Sequence, residues 1–329
     1  MSAIRYKVAV ITAQGRNTFT EQQVRKLEDS AQVEFSSAIR ALGADEIVKR
    51  LADADYAGLT PRSVQVIDRS WLERLPRLKG IAVFATGVDY IDTEYLSERG
   101  IALCHLPDYS TESVAEHTLG LLLTMSRRIH LSQDRVRGRV PAGTSVLGWE
   151  LRGRTIGIVG LGRIGNRVAE LVRVFGMRVL GHDPNRQVEG IPNVSMEELL
   201  ASSDVVSLHF PAQWQGEAAI GREEIAKMKP GATLLNVSRC ALVDPEAVVE
   251  AIDLGALRGY AVDDIFPIGE SHGRAKVQIA EGRILQTGHT AWYSREVIHR
   301  GYDAWIDNLI GLATGNPRNL IGLQEERED

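Results

Sequence analysis

The chain has 329 residues, 44% of them hydrophobic and 25% charged, with a net charge of −5. That length exceeds what one hydrophobic core usually serves, so two domains are expected. Lys and Arg are scattered and the acidic end Glu325–Asp329 is short, which leaves no footprint for nucleic acid, and the longest run free of charged residues, Val205 to Gly216, is well short of the roughly 18 to 20 apolar residues that span a bilayer.

The start, Met1 to Lys7, runs into an apolar strand with no signal-peptide pattern, so a cytoplasmic protein is expected. The two cysteines, Cys104 and Cys240, have no C-x-x-C partner and read as small buried hydrophobes rather than a disulfide or zinc ligands; no metal is expected. The first hundred residues alternate strand and helix: Lys7 to Ile11, the polar–apolar run Thr20 to Ser30, then Ile47 to Ala52. A strand at Gly80–Phe84 breaks at Ala85-Thr-Gly-Val-Asp89, and Ile101–His105 follows another helix. Such alternation predicts a parallel sheet. Thr111 to His130 reads as one long helix, apolar almost all round in its middle and therefore buried. Gly138 to Gly153 reads as a loop.

The next unit is the most informative. Thr155–Val159 is a strand, Gly160-Leu-Gly-Arg-Ile-Gly165 follows it, a helix runs from Asn166 to Phe175, and a second strand, Arg178–His182, ends at Asp183. In that order Gly160 permits the tight turn, Gly162 admits a pyrophosphate to backbone N–H groups, and Gly165 lets the helix pack closely on the strand. Asp183 stands where a carboxylate accepts hydrogen bonds from the adenosine ribose, so NAD is the expected cofactor and is preferred over NADP. Strands at Asp204–Leu208, Thr233–Val237, Gly259–Asp263 and Ile284–Gln286, with helical runs at Met196–Ala201, Arg222–Met228 and Pro245–Leu254, complete a second doubly wound sheet. Pro267 to Glu281 reads as polar and irregular. Arg295 to Thr314 is a last long helix, expected to return to the first domain. The expected fold is thus α/β, with a Rossmann domain, residues 107–290, inserted into a flavodoxin-like substrate domain made of 1–106 and 291–329.

Asn236-Val-Ser-Arg239, Asp263 and Gly288-His-Thr-Ala-Trp292 all follow strand ends, where ligands bind in open α/β sheets. Together with Ala85-Thr-Gly-Val-Asp-Tyr-Ile-Asp92, Val114-Ala-Glu-His-Thr118 and the glycine turn, they resemble the D-isomer-specific 2-hydroxyacid dehydrogenase family over nearly the whole chain, and within it the glycerate dehydrogenase and hydroxypyruvate reductase members. The resemblance implies a homodimer acting on a small anionic 2-hydroxy or 2-oxo acid. It assigns Arg239 to substrate binding and polarisation, and His289 to acid/base work. The backbone around Thr86 and Gly87 becomes the second carboxylate anchor, and Trp292 part of the pocket wall. Arg163, Ile164, Pro211, Val237 and Asp263 join Gly160, Gly162, Gly165 and Asp183 at the cofactor, with Asp263 on the nicotinamide carboxamide. A planar guanidinium suits the first role, because it holds a carboxylate in a fork that an ammonium cannot reproduce.

One stretch departs from the family pattern Asp-Val-Phe-x-x-Glu-Pro, whose glutamate orients the histidine. An ungapped match puts Ile268 or Gly269 at that glutamate position, with Glu270 displaced by one or two residues. Four outcomes are open: Glu270 reaches His289 on a longer loop, Asp264 substitutes, the histidine works alone, or catalysis has been lost. The alternatives to a standard dehydrogenase are therefore an NAD-binding sensor or interaction protein without turnover, and an enzyme for an unusual anion such as a phosphonate.

Overall fold

A computed structural model describes residues 6–212, 218–267 and 272–322. The chain divides into two units, Met1–Ser110 with Ser294–Asp329, and Thr111–Tyr293. In chain order the first unit contains β1 (Lys7–Thr12), α1 (Glu21–Glu28), β2 (Gln32–Ser37), α2 (Ala44–Leu51), β3 (Tyr56–Leu59), α3 (Arg69–Leu72), β4 (Gly80–Val83), α4 (Thr93–Glu98) and β5 (Ala102–Cys104). The second follows with α5 (Thr111–Arg127), α6 (Ile129–Val136), β6 (Thr155–Val159), α7 (Arg163–Val174), β7 (Arg178–His182), α8 (Met196–Ser202) and β8 (Val205–Leu208). It is completed by α9 (Arg222–Lys227), β9 (Ala232–Asn236), α10 (Pro245–Asp253), β10 (Leu257–Val262), α11 (His272–Ala280) and β11 (Ile284–Gln286). Helix α12 (Arg295–Thr314) belongs to the first unit.

The first sheet has the order β2-β1-β3-β4-β5, all parallel, which is the flavodoxin-like order. Helix α12 seals one face: Trp305, fully buried, donates its indole N–H to Ala82 O at 2.9 Å, and Gly58 and Gly80 leave room for Leu309 and Leu312. One sequence expectation changes here. Ile47 to Ala52, a strand by position in the alternation, is the second half of α2, because Glu46 bonds back to the Gly43 N–H and Ile47 and Leu51 bury one helical stripe. Strand β2 carries no sequence signal, because Gln-Val-Glu-Phe-Ser-Ser is an edge strand, too polar to stand out.

The second sheet runs β11-β10-β9-β8-β6-β7, again parallel throughout. Beyond β7, Asn193 pairs with Gly181 as a single parallel bridge. Counting that bridge as a vestigial strand gives the dinucleotide-binding order, with the reversal between β6 and β8. Thr111 to His130 is not one helix: Arg128 adopts a left-handed φ of 55° between α5 and α6, and its guanidinium donates to Glu281 O and Gly282 O at 2.9 and 3.1 Å. Part of the stretch read as irregular before Glu281 is helix α11, anchored by the buried Gln278, which donates to Val249 O and Asp253 Oδ1. Among the described residues no helix is long and apolar enough to cross a membrane.

Candidate active site

Register sets the site. Val159 on β6 pairs with both His182 and Leu208, Leu208 pairs with Asn236, and Val262 pairs with Asn236 and Gln286. The glycine turn, Asp183, His209, Val237, Asp263 and Thr287 therefore leave the sheet at one level, on its C-terminal edge. Pro211 and Arg239 lie two to three residues further along the loops after β8 and β9.

At the switch point the glycines divide their tasks. Gly160 has φ +93° and lies against the backbone of His209, where a Cβ would meet the carbonyl oxygen at 2.7 Å. A Cβ on Gly165 would stand 2.0 Å from Gly160 O, so the first turn of α7 can pass over the loop only without one. Gly162 is different. It caps α7 with no side-chain hydrogen bond, no acid stands in the first turn, and a Cβ there would meet nothing within 4 Å. Open space over an uncapped helix N-terminus is the seat a pyrophosphate requires. Arg163 and Ile164 form the first turn, and Ile164 packs against the core that includes Leu161.

Asp183 bridges the end of β7 and the glycine turn. Its Oδ2 accepts from Leu161 N at 2.8 Å, and its Oδ1 from Asn185 N and Arg186 N at 2.9 and 3.1 Å. Partial burial pushes the carboxyl up, but these three N–H donors and the Arg186 charge outweigh it and hold Asp183 below its ordinary value. Burial also pushes the neighbouring His209 down to about 3, so it is neutral; its Nε2 lies 2.8 Å from Ser207 Oγ, and its buried Nδ1 has no partner among the described residues. His209 had no signal in the sequence beyond its place after a strand.

Arg239 is half-buried on a braced loop. Asn236, 1% exposed, donates to Arg239 O at 2.8 Å and accepts from Ser238 N at 3.1 Å, while Ser238 Oγ reaches back to Leu208 O. Arg239 Nη1 donates to Ser238 O. Asp264 completes this loop: its Oδ2 accepts from Cys240 N at 3.3 Å and its Oδ1 from Ile265 N at 2.9 Å. Its carboxylate thus serves the turn after Arg239, not His289. Cys240 is only half-buried, unlike Cys104, and burial together with Asp264 pushes its thiol up to about 11.

His289 is exposed, at φ 60°, after Gly288 at φ 69°. Its imidazole has no hydrogen-bond partner among the described residues; Ile268, Gly269 and Glu270 lie outside them. Trp292 Nε1 donates to His289 O at 3.1 Å. Asp263, 3% exposed, holds both sides of the turn: Oδ1 accepts from Thr287 Oγ1 and Thr290 N at 2.7 and 2.8 Å, and Oδ2 from Ala291 N at 2.8 Å. The family resemblance gives Asp263 a cofactor contact, and its work on the loop has no signal in the sequence. In the other unit, Thr86 and Gly87 follow β4. Thr86 Oγ1 donates to Leu106 O and the Thr86 carbonyl accepts from His105 Nδ1, both at 2.9 Å. Neither the Thr86 nor the Gly87 N–H donates to a protein acceptor among the described residues. Those residues also contain no His, Cys, Asp and Glu cluster able to hold a metal ion.

A parallel sheet with a glycine turn, an open helix N-terminus and an acid after the second strand defines a Rossmann-type dinucleotide-binding domain. The NAD-binding domain of D-isomer specific 2-hydroxyacid dehydrogenases matches residues 119–289. A glyoxylate reductase of Aeropyrum pernix is 36% identical over 291 residues, covering 84% of this chain and 84% of its own. A hydroxypyruvate reductase of Blautia hydrogenotrophica is 31% identical over 289 residues, covering 84% of this chain and 88% of its own. D-lactate dehydrogenase from Aquifex aeolicus, solved with NAD and lactic acid, superposes with a TM-score of 0.75 at 28% identity, over 94% of this chain and 96% of that one. The chain belongs to the D-isomer specific 2-hydroxyacid dehydrogenase family, and it is an NAD-dependent oxidoreductase.

Proposed function

We propose that the protein interconverts a small 2-oxo acid and its 2-hydroxy acid, with Arg239 holding the substrate and His289 moving the proton. The observation that carries this reading is the common level of the strand ends: the loops of Arg239 and His289 follow β9 and β11, on either side of β10, along the edge that carries the glycine turn. Bound at the glycine turn, the cofactor would supply the hydride chemistry. The Arg239 guanidinium binds the substrate carboxylate as a planar fork and draws charge toward the carbonyl oxygen as it develops. His289 protonates that oxygen in reduction and takes the proton from the hydroxyl in oxidation. Asp183 favours NAD, since it repels a 2′-phosphate and accepts from a free 2′-hydroxyl.

The displacement of the glutamate in the sequence, with Ile268 or Gly269 in its place, favours one rival, a cofactor-binding sensor without turnover. The decisive experiment incubates the protein with NADH and a panel of 2-oxo acids including glyoxylate and hydroxypyruvate, following NADH absorbance. Turnover that disappears in His289→Ala supports the proposal. Tight NADH binding with no turnover of any acid overturns it in favour of the sensor. A homodimer in the cytoplasm is part of the same proposal. Exposed apolar side chains at Ile129, Val136 and Leu147, near one another in the chain, support an interface on the nucleotide domain, and sedimentation velocity measures the mass.

A further inference from the structure

We infer that His117, on α5, is a positioning residue that holds the turn of His289 in its working conformation. The turn needs holding. Gly288 and His289 are consecutive residues with left-handed φ, at 69° and 60°. Glycine adopts that region freely, but a residue with a Cβ does so only at a steric cost, and keeps it only where its surroundings over-determine the backbone. The over-determination comes from the buried Asp263 carboxylate, which binds Thr287 Oγ1 before the strained pair and Thr290 N and Ala291 N after it. Thr290 Oγ1 closes the loop on itself, donating to Thr287 O at 2.9 Å.

His117 enters through proton counting. Its Nε2 lies 3.0 Å from Thr287 Oγ1 and 3.7 Å from Asp263 Oδ1. A hydroxyl carries one proton, and that of Thr287 goes to Asp263, whose carboxylate can only accept. The Thr287 oxygen must therefore accept from His117, so His117 carries a proton on Nε2 whichever form its Nδ1 takes. The result is a directed chain: His117 donates to Thr287, Thr287 donates to Asp263, and Asp263 accepts from the two amides that follow His289. Hydrogen bonds in such a chain polarise one another, so removing the first donor weakens the anchor at its far end. The side chain of His117 is about one quarter exposed, and among the described residues its polar contacts are with Thr287 and Asp263. Position 117 thus controls position 289 without a bond to it.

This inference rests on the reading of His289 as the acid/base, and two kinds of measurement separate the two. The first is backbone hydrogen exchange at Thr290 and Ala291, which needs no turnover. His117→Ala is expected to speed exchange at both amides by about tenfold or more, with α7 and β6 unchanged. The second is steady-state reduction of glyoxylate or hydroxypyruvate by NADH. His117→Ala is expected to lower kcat by about 10- to 100-fold, as a small misplacement of a reacting group does, while the KM for NADH stays within a few-fold. His117→Gln should recover both signals, because its amide nitrogen reaches where the imidazole Nε2 lies; His117→Asn, which reaches only the Nδ1 position, should not. In a His289→Ala background the His117→Ala loss of kcat should vanish. Unchanged exchange in His117→Ala overturns the inference, and so does a kcat loss that His117→Gln fails to recover. Faster exchange in His117→Ala, found together with a His289→Ala enzyme as fast as wild type, leaves the positioning of the turn standing and overturns the role of His289 instead.

Discussion

Gly162 and Gly165 lie in one turn yet should fail in opposite ways when changed to alanine. At Gly165 the new Cβ would stand 2.0 Å from Gly160 O and 3.1 Å from Ile158 Cγ2. Restoring an ordinary contact of about 3.5 Å moves the start of α7 off the loop by roughly 1.5 Å. Overpacking of that kind costs about 3 kcal/mol, which in a domain of this size lowers Tm by roughly 6–12 °C. At Gly162 the Cβ meets nothing within 4 Å, and φ −68° with ψ −170° is open to alanine. The loss of a glycine N-cap and the gain from a stiffer unfolded chain are each about 0.5–1 kcal/mol and offset, so Tm should stay within about 2 °C. The methyl group does, however, fill the space over the helix N-terminus. Losing the dipole and one charge-assisted hydrogen bond there removes about 3 kcal/mol, or roughly 100-fold in the Kd for NADH. Calorimetric titration with NADH beside thermal melts by circular dichroism reads both quantities. A Gly162→Ala protein that melts normally and binds NADH within threefold of wild type would refute the assignment of this turn to the pyrophosphate.

Arg239→Lys should lower kcat/KM for a 2-oxo acid by at least about 100-fold with NADH affinity within a few-fold, since an ammonium cannot reproduce the fork; near wild-type kinetics would remove Arg239 from the reaction. Asp263→Asn keeps one oxygen for Thr287 and Thr290 but turns an N–H donor toward the Ala291 amide, so a loss of about 2–3 kcal/mol is expected in urea unfolding, and an unchanged midpoint would contradict the clamp. Asp183 has a folded pKa below its ordinary 3.8, so the stability it contributes is present above that value and disappears as pH falls through the lower, folded one. The stability gap between wild type and Asp183→Asn should accordingly be constant above about pH 5 and shrink below about pH 4; parallel curves across that range would show that the N–H contacts contribute nothing.

The glycine turn and the acid after the next strand were legible in the sequence because their requirements are local and steric. Gly160, Gly162 and Gly165 answer to the path of one turn and the start of one helix, and Asp183 to the end of the next strand, all within a single βαβ unit. Element identity was equally legible where a stripe or an apolar run stood out, and failed where it did not, as with the polar edge strand β2 and the break at Arg128, which two carbonyls from residues more than 150 positions away hold in place. The supports of the chemistry could not be read that way. Asp264 stands beside Asp263 and looked interchangeable with it, yet one carboxylate turns to the Cys240 amide and the other to the loop of His289. His117 meets Thr287 across 170 positions. Which carboxylate faces which loop, and which imidazole nitrogen must carry the proton, depend on strand register and on hydrogen-bond donors brought together only when the sheet has formed, and no pattern of neighbours along the chain encodes them.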